Sequence, residues 1–84
     1  MKPTIGRVVI YTTTDADKAK MQEANTLNGG CNIQDQLPAI IVAVWGEECV
    51  NLKVITDGNL ELWVTSSMQG DGPGGWSWPV IERP

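Results

Sequence analysis

The sequence predicts a mainly β fold, a small five-stranded SH3-like barrel with a short helix in its first long connection. Two apolar, β-branched segments, Ile5 to Thr12 and Leu37 to Trp45, read as strands. The stretch from Val50 to Ser67 reads as a hairpin with one aliphatic face. The connections after the second strand are tight, whereas the first is long and polar, which is the spacing of a small barrel that limits exposed sheet edges. A two-layer arrangement with the helix covering an open sheet is the structural alternative. All 84 residues are expected to form one domain, residues 1–84.

Ile5 to Thr12 (IGRVVIYT) forms the first strand, with Pro3 marking an extended approach. From Thr13 to Leu27 the chain is polar. Thr14 or Asp15 can cap a helix there, Asp17 sits in the first turn where the helix dipole favours it, and Ala16, Ala19, Met21 and Ala24 are tolerant helix formers. A helix of two to three turns is expected, ended by Asn28, Gly29 and Gly30. Cys31 to Gln36 reads as loop. Leu37 to Trp45 (LPAIIVAVW) is short and β-branched enough to favour a buried strand over a helix, with Pro38 at its edge or beginning. Gly46, Glu47 and Glu48 turn the chain into the next strand.

In the hairpin, Val50, Leu52 and Val54 alternate with Asn51, Lys53 and Ile55, and Leu60, Leu62 and Val64 alternate with Glu61, Trp63 and Thr65. A two-residue Asp57-Gly58 turn would pair Ile55 with Leu60 and set the aliphatic residues on opposite faces. A three-residue loop of Thr56, Asp57 and Gly58 removes the conflict by pairing Val54 with Leu60, Leu52 with Leu62 and Val50 with Val64. That register puts Lys53 opposite Glu61, Asn51 opposite Trp63, and the Trp63 ring away from the aliphatic face. A glycine-rich loop, Gly70 to Gly75, then leads to Trp76-Ser77-Trp78-Pro79.

A chain of this length buries only about 60 to 65% of its unfolded surface, so association between subunits would add useful stability and a homo-oligomer is expected. No apolar run approaches the roughly 18 residues of a membrane span. Met1 to Ile10 does not read as a secretory signal, and a cytoplasmic location follows. With a net charge of −4 the chain lacks the term that dominates binding to a phosphate backbone, which argues against extended nucleic acid as a partner. A small anionic ligand is compatible, because a few local cations and backbone amides can hold one phosphate. Cys31 and Cys49, in a chain with no His, do not complete a zinc site, and neither a metal nor a cofactor is expected.

Catalysis lacks its parts. Ser66 and Ser67 have no His to activate them, neither thiol has an evident base, and Glu47 and Glu48 are sequence neighbours whose side chains diverge. Binding is better supplied. Four Trp and one Tyr with no Phe favour half-exposed sites, since these side chains join a stacking face to a polar atom. Trp76 and Trp78 share one face of a strand and could stack on a purine; equally they could close the barrel over its core or fill a subunit interface. The Gly70 to Gly75 loop resembles no phosphate-binding fingerprint and reads as a turn or as a lid over a ligand. Arg7 with Thr12 and Thr13 is the most attractive polar group for an anion. The expected ligand-binding set is Arg7, Tyr11, Thr12, Thr13, Trp63, Trp76 and Trp78.

Pro3-Thr4-Ile5-Gly6-Arg7-Val8-Val9 with Tyr11, Pro38-Ala39-Ile40-Ile41-Val42 with Val44-Trp45, Val50-Asn51-Leu52, Asp57-Gly58, and Pro73-Gly74 leading to Trp76-Ser77-Trp78-Pro79 together resemble a family of small uncharacterised proteins of tailed phages and prophages. The likeness covers most of the chain. Residues 25–36 are less typical, since many relatives are longer there, and many carry His where this chain has Ser77, which argues against a histidine-based activity. The resemblance implies a product made in the cytoplasm of an infected bacterium and supplies no catalytic residue. Taken with the Trp and Gly content and the missing catalytic groups, it leads to the expectation of a non-enzymatic counter-defence factor that sequesters a host nucleotide immune signal as an oligomer. The alternatives are an acidic inhibitor that docks on a host defence protein, and a small structural component of the particle.

Overall fold

The computed structural model describes residues 2–28, 32–58 and 60–80. Strands β1 (Val8–Thr12), β2 (Gln36–Val44), β3 (Cys49–Ile55), β4 (Glu61–Met68) and β5 (Trp76–Ser77) form one antiparallel sheet in the order β4-β3-β2-β1-β5, and helix α1 (Asp15–Asn28) occupies the first connection. The sheet curls into a half-barrel consistent with a small SH3-like barrel. Its two ends approach through a parallel bridge between Gln69 and Trp76, where the Gly70 amide donates to the Trp76 carbonyl.

β1 begins later than its composition suggests because Ile5 and Gly6 form a turn, with Gly6 at φ +94°, a conformation that a side chain would strain. The ladder to β2 still runs on past the turn, through the Gly6 amide to the Ile41 carbonyl and the Ile41 amide to the Arg7 carbonyl. Thr14 caps α1 reciprocally: its hydroxyl accepts from the Asp17 amide at 3.1 Å and its own amide donates to the Asp17 carboxylate at 3.0 Å. The helix is 14 residues long, a turn more than its composition suggested, and buries Met21 in the core. Gly29, Gly30 and Cys31, expected to end it and open the loop, lie outside the described residues.

Pro38 sits within β2 opposite Ile10 but just outside the β2–β3 ladder, whose first pair is Ala39 with Val54, so its missing N–H breaks no bond to β3. The β3–β4 register differs from the expected one by two residues: Val54 pairs with Leu62, Leu52 with Val64 and Lys53 with Trp63. A shift of two keeps every side chain on its face. It turns Lys53 and Glu61 into diagonal neighbours, still paired at 3.5 Å. The turn is set by the Thr56 hydroxyl, which donates to the Leu60 carbonyl. Beyond Leu52 the ladder shifts, Val50 facing Ser67, and Ser66 takes φ +52°.

The inner face of the sheet holds the core: Val9, Tyr11, Leu37, Ala39, Ile41, Val50, Leu52, Val54, Leu62 and Trp76, with Met21 from the helix. Leu60, Val64 and Trp78 pack at its margin. The aliphatic alternation of the hairpin therefore points inward, and Trp63, 64% exposed, points outward.

Candidate functional site

The expected ligand-binding residues divide between the core and the surface. Trp76 is fully buried, its indole N–H donating to the Glu48 carbonyl at 2.9 Å. Tyr11 is buried beneath the helix, where its hydroxyl donates to the Asp17 carboxylate. Burial first, and then that hydrogen bond and the Asp17 charge, raise the phenol well above its ordinary range. Thr13 is buried, its hydroxyl donating toward the Gln34 and Asp35 carbonyls. These three side chains have no free face for a ligand, and the expectation for them is corrected to an architectural role.

Arg7 does not join Thr12 and Thr13. It stands at the opposite end of β1, roughly 17 Å away at the rise of an extended strand. Its guanidinium lies 5.3 Å from the centre of the Trp78 ring, which itself meets Trp76 edge to face at 5.2 Å. The backbone of Thr12 accepts from the Gly74 amide and donates to the Gly75 carbonyl, and the Ser67 hydroxyl donates to the Gly74 carbonyl. The glycine-rich loop is thereby pinned to β1 and β4, a tether more than a lid. Gly75 is required at that point: a Cβ there would lie 2.7 Å from the Gly70 carbonyl oxygen.

A shallow pocket of about 360 Å³ lies against the glycine-rich loop, lined by its glycines with Ser66, Met68 and Pro73. Two further surface features bear on binding. The first is a groove of about 360 Å³ with Ile10 of β1 in its lining. Gln36, Leu37 and Pro38 of β2 line it together with Ser77, Trp78, Pro79 and Val80 of the closing segment. β1 lies between β2 and β5 in the sheet, and the pairing of Ile10 with both Pro38 and Ser77 brings these residues together. The lining is apolar except for one amide and one hydroxyl, and Trp78 connects it to Arg7.

The second feature lies on the outer face of β2, β3 and β4. Trp63 stands opposite Lys53, Lys53 opposite Ile40, and Ile40 opposite Val8. Two residues from Lys53, Asn51 accepts the Trp45 indole N–H at 2.9 Å and the Ser66 amide at 2.8 Å with the same oxygen. Trp45 is 66% exposed. The sequence reading missed Trp45, whose place at the end of an apolar run suggested a strand terminus. It also missed Ile10, Gln36, Pro38 and Ser77, which become neighbours only through the order of the strands.

No family model, curated protein or solved structure matches this chain.

Proposed function

We propose that this chain is a non-enzymatic binding protein that holds a small, planar, anionic ligand of the nucleotide class in the groove beside Ile10. The groove carries the reading. Its volume falls in the usual range for small-molecule sites, roughly 300 to 1,000 Å³, and an apolar lining with a few converging polar groups is their ordinary make-up. Gln36 and Ser77 supply hydrogen bonds that can orient a base edge, and Arg7, stacked on Trp78, supplies a fixed cation for a phosphate. With the resemblance to phage proteins, the biological role is capture of a host nucleotide signal in the infected cytoplasm, a counter-defence function.

Calorimetry against a panel of linear and cyclic nucleotides tests the reading. At least one should bind, and Arg7→Ala should weaken it about tenfold or more, the usual effect of removing one charge-assisted contact. No binding by any member of the panel, with unchanged Trp emission, would overturn it.

One observation favours a second reading, an acidic inhibitor docking on a basic host protein. The acidic residues other than Glu61 lie off the strands; in the described chain they are Asp15, Asp17, Glu23, Asp35, Glu47, Glu48, Asp57 and Asp71, on the helix, loops and turns. Such a complex would form faster at low salt, and a salt-independent association rate would count against it.

A further inference from the structure

We infer that the outer face of β2, β3 and β4 is a self-association surface on which a second copy of this chain docks about a two-fold axis, with Trp45 and Trp63 near the centre.

The face sets exposed apolar side chains around a polar strip of Asn51, Lys53 and Glu61. Trp45 and Trp63 are about two-thirds exposed, Val8 51%, Ile55 42% and Val42 37%. An aromatic side chain can bury about 150 to 250 Å² on docking, so the two indoles alone offer on the order of 250 Å². With the aliphatic residues and the Lys53 stem, the area approaches the roughly 600 to 800 Å² per partner of a small specific interface. The largest apolar patches on monomers are often functional.

Charge selects the occupant. The chain carries −4 overall, yet among the residues of the five strands Lys53 and Glu61 alone are charged, and they are paired with each other. A basic partner would be drawn to the acidic turns and helix and would gain nothing from this face. A second copy presents a surface of the same neutral, apolar kind. An isologous contact also lets Lys53 of each copy reach Glu61 of the other, so the one charged pair becomes self-complementary.

The face is also prearranged. The hydrogen bond to Asn51 satisfies the one polar atom of the Trp45 ring and fixes its orientation, and the same Asn51 oxygen holds the Ser66 amide of the bulge. Little side-chain freedom is then lost on docking. The groove touches β2 at Gln36 to Pro38 but is centred on β1 and β5. Trp45 and Trp63 do not line it, so substitutions at the two indoles test dimerisation separately from ligand capture.

Sedimentation of the full chain from about 1 μM to about 1 mM reads this directly. The wild type should pass from monomer to dimer. Trp63→Lys and Trp45→Lys should each raise the dissociation constant at least tenfold, whereas Glu23→Gln, on the exposed side of the helix, should leave it unchanged. Lys53→Glu should weaken the dimer, and adding Glu61→Lys should restore it. Circular dichroism and thermal unfolding of each variant verify that the fold is retained. A wild type that stays monomeric throughout overturns the inference, including a monomer that takes another protein on this face. So does a dimer indifferent to both Trp substitutions.

Discussion

The Tyr11 hydroxyl and the Asp17 carboxylate tie β1 to the first turn of the helix, and the same carboxylate closes the capping box with Thr14. One acidic side chain therefore serves helix initiation and helix docking together. Tyr11→Phe should cost about 1.5 to 3 kcal/mol at neutral pH, the value of a hydrogen bond to a charged group, and Asp17 keeps its bond to the Thr14 amide. The pH dependence has a definite sign. The folded-state pKa of Tyr11 lies above the phenol's ordinary value of about 10, so its contribution is whole below pH ~10 and is lost as pH rises through the folded value. Denaturant unfolding at pH 8 and near pH 11 should show the wild type losing more stability than Tyr11→Phe. Equal losses would show that folding does not raise the phenol. The pair was hidden from the sequence reading because Tyr11 presents an apolar ring and a polar tip, and its partner lies across a loop. Trp76 was ambiguous for a related reason: the alternation Trp76-Ser77-Trp78 defines one shared face but has no aliphatic neighbours to say which side of the sheet that face takes.

At the scale of elements, period fixed more than position. Alternation in β3 and β4 placed Val50, Leu52, Val54 and Leu62 inward and Trp63 outward, and the structure has them so. The same alternation is unchanged by a shift of two residues, which is why the pairing of Val54 moved from Leu60 to Leu62 without moving any side chain to the wrong face. The pairing of Lys53 with Glu61 did not decide between the registers, because opposite and diagonal neighbours are both within reach of long side chains. The bond from the Thr56 hydroxyl to the Leu60 carbonyl decides, and no spacing in the sequence announces it. The bulge in β4 likewise had no glycine to mark it. Ser66 holds φ +52° with a side chain in place, at a cost of roughly 1 kcal/mol relative to glycine. Ser66→Gly should therefore leave the fold intact and raise thermal stability by about 0.5 to 1 kcal/mol, measured by thermal unfolding. A loss of stability would mean that the serine side chain supports the bulge.

For the whole molecule, the arrangement of charge is the main organising feature. Acidic residues crowd the helix, loops and turns while the sheet is neutral, so the outer face is free for apolar contact and the chain keeps a net charge that opposes unspecific association. The expected mainly β architecture, with one helix in the first connection, followed from pattern alone. The groove did not, because it forms where β5 pairs with β1, a contact between segments far apart in the chain that local periodicity does not encode. The most direct test of ligand capture in the groove is an amide and indole correlation spectrum of the labelled protein, recorded as a cyclic or linear nucleotide is added. Concentration-dependent shifts should gather on Ile10, Gln36, Ser77 and the Trp78 indole, with Trp45 and Trp63 unmoved. A spectrum unchanged by every nucleotide, or shifts gathered on Trp45 and Trp63 instead, would contradict it.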